Sequence, residues 1–280
     1  MFQLLKESRF GRRGVLETSH GKVQTPAFMP IATKGSVKSL TPEELQKAGA
    51  EIILSNTYHL MLQPGVEVLK KAKGLHKFMQ WSGPILTDSG GYQVFSLARL
   101  RKITNEGVEF RSHRDGSKHF LTPERSIEIQ KVIGSDIMMV LDDVQAPDVL
   151  KKRADEAVTR TSLWAKRSLA VKKKHGQKMF GIMQGGIYKD LRMRSADELT
   201  KLPFDGFAVG GLAVGETEEQ MFTMTSVVTE KLPKNKPRYF MGGAKPEQIV
   251  ALVVRGIDMF DCVIPTREAR HGRLYIWKHG

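Results

Sequence analysis

The chain holds a single cysteine, Cys262, among 280 residues. That excludes an internal disulfide and a cysteine-rich zinc site within the chain. It also lacks any apolar run near the roughly 18–20 residues that a membrane span needs. The opening Met1-Phe-Gln-Leu-Leu-Lys-Glu-Ser brings charge into its apolar stretch too early for a secretory signal, so the expected location is the cytoplasm. There is no internal repeat and no low-complexity linker. The Gly-x-Gly-x-x-Gly turn that marks a dinucleotide-binding doubly wound sheet is missing after the first strand candidate. Carboxylates are in deficit: 30 Asp and Glu stand against 44 Lys and Arg, a formal charge of +14. A surface this basic suits a polyanionic partner, and a nucleic acid is the commonest one.

Eight short apolar runs are present, at 27–31, 51–54, 85–86, 136–141, 179–183, 206–209, 238–241 and 259–264. They are strand-length and rich in Val, Ile, Phe and Met, as strands covered on both faces should be. Helical stretches lie between most of them. Thr41-Pro-Glu-Glu opens one, with a capping threonine, proline in the first turn and two acids facing the helix dipole. Thr122-Pro-Glu-Arg repeats the pattern, and 151–174, 216–231 and 246–255 supply more. Alternation of eight strands with helices predicts an α/β fold, a (β/α)8 TIM barrel. About 50 residues separate the third run from the fourth, which predicts an insertion between strands 3 and 4 with a small hairpin around 108–120.

Barrel enzymes place their chemistry at the C-terminal ends of the strands. The residues that follow the apolar runs there are Asp88-Ser-Gly-Gly-Tyr92, Asp142-Asp143, Gln184-Gly-Gly, Gly210-Gly-Leu212 and Met241-Gly-Gly, and Asp261 interrupts the last run. A carboxylate among Met, Phe, Cys and Val is costly to bury unless it is paired or used. Structural readings stand beside the functional ones. Asp261 could pair with Arg267 or Arg270, Asp88 could cap its Gly-Gly turn, and Asp142-Asp143 could cap a helix starting at 147–151. Taken together, the rim offers three carboxylates, one amide and bare backbone. That set suits the edge of a purine, with Tyr92 and Met241 able to sandwich a ring. Paired carboxylates also suit glycosidic chemistry, one attacking the anomeric carbon while the other carries the leaving-group proton.

Four stretches, in order, carry a family resemblance: Asp88-Ser-Gly-Gly-Tyr-Gln-Val-Phe-Ser, Gly181-Ile-Met-Gln-Gly-Gly, Phe207-Ala-Val-Gly-Gly-Leu and Asp258-Met-Phe-Asp-Cys-Val-Ile-Pro-Thr-Arg. With Leu54-Ser-Asn-Thr-Tyr-His-Leu and 110–136, the chain resembles queuine tRNA-ribosyltransferase, also called tRNA-guanine transglycosylase, nearly end to end. The resemblance implies a barrel that exchanges guanine at wobble position 34 of tRNAs with GUN anticodons (Asp, Asn, His, Tyr). The incoming base is a 7-deazaguanine, preQ1 or queuine, and exchange proceeds by double displacement through a covalent enzyme–RNA intermediate. By motif, Asp261 matches the nucleophile and Asp88 the general acid/base. Asp142, Gln184, Gly211 and Leu212 match the base-recognition groups, Tyr92 and Met241 the stacking walls, and Ser89, Gly90 and Gly91 complete the substrate-binding turn. Gly242, Gly243, Ala244, Lys245, Pro246, Glu247 and Gln248, with Thr266, Arg267, Glu268, Ala269 and Arg270, match the segments that hold RNA. The charge agrees, since phosphate contacts give affinity without reading sequence, and Lys151-Lys-Arg153 and Lys172-Lys-Lys174 are further phosphate-facing candidates.

Three departures stand out. Family members normally continue into a Cys-x-Cys-x-x-Cys…His zinc element, whereas Cys262, His271 and His279 lack that spacing. Residues 1–280 are therefore expected to form one domain truncated at its C-terminus, with no cofactor or metal held in this chain. Apolar surface would be left on the first and last strands, with a homodimer or heteromer open. The alternative function is a non-catalytic tRNA-binding subunit of a complete homologue, although such a subunit has no need of both Asp88 and Asp261. Val144 stands where many bacterial members have Cys and looks more like queuine users, while Val214 is the bacterial choice where queuine users tend to have Gly; the two signals conflict, and the base stays open between preQ1 and queuine with a slight lean to preQ1. Met241-Gly-Gly-Ala-Lys replaces the usual Met-Gly-Val-Gly-Lys.

Overall fold

The structure, a computed structural model, describes residues 1–97, 101–243 and 245–276. Eight parallel strands form the central sheet: β1 (Ala27–Met29), β2 (Ile53–Ser55), β3 (Ile85–Thr87), β4 (Ile137–Met139), β5 (Lys178–Met183), β6 (Gly206–Val209), β7 (Arg238–Phe240) and β8 (Met259–Asp261). Each of the eight apolar runs overlaps one of them. They pair in the order β1-β8-β7-β6-β5-β4-β3-β2. A parallel bridge from Ile31 to Leu54 brings the two ends together, with Leu54 N–H donating to the Pro30 carbonyl at 2.9 Å. Met29, Leu54, Leu86, Met138, Phe180, Phe207, Phe240 and Phe260 belong to one buried cluster. The strands read as continuous apolar runs because both of their faces are covered.

The helix starts follow their sequence signals. Thr41 and Glu44 form a reciprocal capping box on Pro42–Lys47, Thr122 Oγ1 accepts the Arg125 N–H at 3.1 Å, and Thr217 with Gln220 caps Glu218–Thr229. The long basic helix runs Lys151–Ala170 and ends before the lysine cluster. Lys173 pairs with Asp205 at 2.6 Å and Lys174 donates to the Lys131 carbonyl, both at the N-terminal ends of the strands. Lys172-Lys-Lys174 therefore lies at the opposite end of the barrel from Asp261. Asp143 does not cap a helix either. It is buried and binds Arg153 and Arg160, anchoring Lys151–Ala170 to the end of β4.

The insertion between β3 and β4 is a three-stranded antiparallel sheet, Arg101–Ile103, Val108–Arg111 and Lys118–Leu121, one strand more than the predicted hairpin. A second antiparallel sheet, Phe2–Ser8, Gly11–Thr18 and Gly21–Thr25, was not foreseen. Its first strand is mostly exposed and carries no regular alternation. It lies against the N-terminal end of the barrel, where buried Arg12 donates to Asp258 at 3.0 Å just before β8. Among the described residues no helix is long and apolar enough to cross a membrane.

Candidate active site

A cavity of about 370 Å³ opens at the C-terminal ends of the strands, within the usual range for a small-molecule site. Asp88, Ser89, Tyr92, Asp142, Gly211, Leu212, Met241, Gly242 and Asp261 all line it. Asp261 ends β8. Its Oδ1 accepts from the Tyr239 hydroxyl at 2.5 Å and from the Gly242 N–H at 2.7 Å. Both bonds fall on Oδ1, so Oδ2 is the oxygen left for a ligand. The ion pair that would have made Asp261 structural is not formed. Arg267 pairs with Glu268, and Arg270 donates to the Thr266 carbonyl. Burial raises the Asp261 carboxyl above its ordinary range, with the Tyr239 and Gly242 bonds pulling the other way.

Asp88 follows β3. Its carboxylate accepts from Asn56 Nδ2, from the Thr57 N–H at 2.9 Å and from the Gly90 N–H at 3.2 Å. It thus does cap the glycine turn, and it lines the cavity as well. Burial pushes its pKa to about 6, bonds from Asn56, Thr57 and Gln93 oppose this, and the charge of Asp261 adds to the rise. A carboxyl with a pKa near 6 can take and return protons near neutral pH, as a general acid/base must.

Asp142, beyond β4, accepts from Ser89 Oγ at 2.9 Å and from Gln184 Nε2 at 2.7 Å. Burial lifts it too to about 6, helped by the neighbouring charges of Asp143 and Asp88. Gln184 sits at the end of β5, its backbone N–H held by Ser195 Oγ. Two glycines make this packing feasible. A Cβ on Gly211, whose φ is +62°, would lie 2.2 Å from Gln184 Oε1, and one on Gly91 would lie 2.7 Å from Asp142 Oδ1.

The segments matched to RNA holding flank Asp261 because β7 and β8 are neighbours. Gly242 bonds Asp261 directly, and Gln248 accepts the Lys245 N–H at 2.8 Å at the start of Pro246–Val254. Gly243, Pro246 and Glu247 belong to the same connection, and Ala244 lies outside the described residues. Thr266, Arg267, Glu268, Ala269 and Arg270 form most of the helix Ile264–Arg270 directly after β8. Of the further basic candidates, Arg153 is engaged with Asp143 and Lys151 with Asp190 at 2.7 Å.

The residue-by-residue reading missed several contributors. Asn56 lies in a stretch matched to the family but given no role, and Tyr239 reads as a plain strand residue. His59 and Gln93 line the cavity, and among the described residues His59 Nδ1 and Gln93 Oε1 are buried without a partner. Burial lowers His59 to about 4, so its ring is neutral. The largest omission is Arg192, fully buried on Lys189–Leu199. It donates to the carbonyls of Gly186 (2.8 Å), Met183 (3.2 Å), Gly210 (2.6 Å) and Gly211 (3.0 Å). One guanidinium thus ties the Gln184 loop to the Gly210-Gly211 turn. An arginine among Lys189, Arg194 and Asp190 gives no sequence signal of this, because its partners are carbonyls. Cys262 Sγ accepts the Ile264 N–H, and His271 Nδ1 is 2.7 Å from the Arg267 carbonyl.

Comparison with known proteins agrees with this geometry. The family model described as queuine tRNA-ribosyltransferase matches residues 7–280. A queuine tRNA-ribosyltransferase of Thermotoga petrophila is 56% identical over 276 residues, covering 99% of this chain and 74% of the relative. Relatives of the same name from Desulforamulus reducens and Aquifex aeolicus are 53% and 51% identical, over 94% and 98% of this chain and 71% and 75% of their own lengths. With the carboxylates, the amide and the glycine turns gathered on one rim, this chain belongs to the queuine tRNA-ribosyltransferase family.

Proposed function

We propose that this chain is a tRNA-guanine transglycosylase that exchanges guanine at wobble position 34 of tRNAs with GUN anticodons for a 7-deazaguanine. The observation that carries the reading is the buried Asp261, fixed on one oxygen and coupled by charge to a proton-carrying Asp88 in the same cavity. The target nucleotide leaves its stack to reach such a pocket, as in other base-modifying enzymes. Asp261 Oδ2 attacks C1′ of the ribose, and the bond from C1′ to guanine N9 breaks with its electron pair going to the base. Asp88 in its acid form supplies the proton that neutralises the departing guanine. The incoming base then gives a proton back to Asp88, and its N9 attacks C1′ and expels the Asp261 carboxylate. Two inversions leave the configuration at C1′ unchanged, and no redox partner is needed.

Base recognition falls to Asp142, Gln184 and the backbone of Gly211 and Leu212, with Tyr92 and Met241 as the ring-stacking walls. Gln184 donates to Asp142, so a base edge would meet two groups already aligned. Val144 and Val214 both line the cavity, which favours the smaller preQ1 over queuine. The test is incorporation of radiolabelled guanine into unmodified tRNA-Tyr, with free guanosine as a second substrate. The expected result is labelling of the tRNA alone, abolished by Asp261→Asn. A folded protein that labels no tRNA would overturn the reading.

A further inference from the structure

At the end of the barrel opposite the cavity, the fold gathers His20, His76 and Asp136. The first lies in the turn between Gly11–Thr18 and Gly21–Thr25, the second in the helix Leu75–Met79, and the third just before β4. They are far apart in sequence, and the exchange reaction uses none of them. His20 Nδ1 lies 2.8 Å from Asp136 Oδ1, and His76 Nε2 lies 3.3 Å from Asp136 Oδ2 and 3.1 Å from the Gly83 carbonyl, a contact that an ion bound to Nε2 would replace. All three donor atoms lie within 4.8 Å of one another. Ligand atoms about 2.0–2.2 Å from a tetrahedral ion stand roughly 3.4 Å apart, close to the His76–Asp136 distance and wider than the His20–Asp136 one.

We propose that His20, His76 and Asp136 form a binding site for a borderline divalent transition metal such as Zn²⁺, joining the N-terminal sheet to the base of the barrel. Two imidazoles with one carboxylate select such an ion over Mg²⁺ or Ca²⁺, which prefer all-oxygen shells. Asp136 is a ready ligand. Its side chain is fully buried and its Oδ2 also accepts the Ile85 N–H at 3.0 Å, which orients the carboxylate from behind. Its backbone N–H and C=O are held by Ile85 and Lys178. The side chain of His76 is 13% exposed and that of His20 39%, which leaves an outer coordination position for water. The two rings stack at 3.7 Å and 20°. An ion cannot lie in both ring planes at once in that arrangement, so the His20 ring must turn on binding, and its place in an exposed hairpin turn gives it room. The protein would be held at two points on this face, by the Arg12–Asp258 pair and by the metal.

The test uses the full chain, stripped with chelator and titrated with Zn²⁺ by calorimetry and with Co²⁺ by visible absorption. One ion per chain should bind, and Zn²⁺ should raise the melting temperature. His20→Ala is expected to fold normally, since its side chain is partly exposed, and to lose at least tenfold in affinity together with the thermal shift. His76→Ala should do the same, and His271→Ala should bind as the native chain does. Absence of a thermal shift with Zn²⁺, or equal affinity in native protein and His20→Ala, would overturn the proposal.

Discussion

The Tyr239 hydroxyl and the Gly242 N–H donate to the same oxygen of Asp261, at 2.5 and 2.7 Å, and neither touches the other oxygen. Asp261 is therefore clamped on Oδ1, away from Oδ2, the oxygen proposed to attack. Tyr239 is itself fully buried, and burial beside Asp261 holds its hydroxyl well above the usual range, so it stays a donor. Tyr239→Phe removes one bond to a charged acceptor, a loss of about 1.5–3 kcal/mol. Without that bond the carboxylate is less firmly aligned for attack, and kcat should fall about tenfold or more. The Asp261 carboxyl also loses a group that lowers its pKa, so the acid limb of the pH profile should move upward. A limb that stays in place would show that Tyr239 only fills space.

Asp142 makes the site unstable on purpose. Its pKa is raised from 3.8 to about 6, so the native state binds its proton more tightly than the unfolded chain. Below about pH 4 both states are protonated and nothing is lost. Between pH 4 and 6 the unfolded chain ionises first, and stability falls as pH rises. Above pH 6 the full cost of about 3 kcal/mol remains. Asp142→Asn keeps the shape and removes the charge, and Gln184 can rotate its amide to bond the new side chain. The variant should melt higher than the native chain at pH 7, no higher at pH 4, and bind the base poorly. Equal melting temperatures at both pH values would refute this account.

The barrel was legible because its strands are covered on both faces, which leaves eight short apolar runs. The catalytic rim was legible because strand ends in such a fold carry the polar residues. What escaped has a common cause. The strand Phe2–Ser8 is largely exposed and obeys no alternation, and Arg12 is buried where a basic residue reads as surface. Arg192, His20 and His76 acquire their meaning from partners brought in by closure of the barrel. Asp143 looked like a helix cap, and only the packing of Arg153 and Arg160 against it reveals an anchor.

Arg192 holds the base-binding backbone in shape, and burial lowers its pKa to about 9, which leaves it charged at neutral pH. Its bonds to the Gly210 and Gly211 carbonyls also polarise the peptides whose N–H groups belong to Gly211 and Leu212. Arg192→Met leaves four carbonyls without this partner and should cost about 3–5 kcal/mol of stability. Arg192→Lys, with one ammonium in place of a planar fork, should fold better yet bind the base weakly. Expected is a rise in KM for the base well above any rise for tRNA. Equal changes in both would mean that Arg192 supports the fold in general and not the base pocket.

The two valines on the cavity wall bear on the size of the incoming base. Val144 is nearly fully buried beside Asp142, and Val214 follows the Gly211-Leu212 turn, its N–H held by Glu216 at 3.1 Å. Discrimination by size is worth about 1–3 kcal/mol per methylene, and the cyclopentenediol of queuine is far larger than one methylene. The native chain should therefore use preQ1 with a kcat/KM at least about a hundredfold above that for queuine. Val214→Gly removes the branched side chain without touching a carboxylate, so guanine exchange should persist while the gap narrows by about tenfold or more, mainly through the KM of queuine. Equal use of both bases by the native chain would mean that this wall yields, and that the queuine ring leaves the cavity by another side.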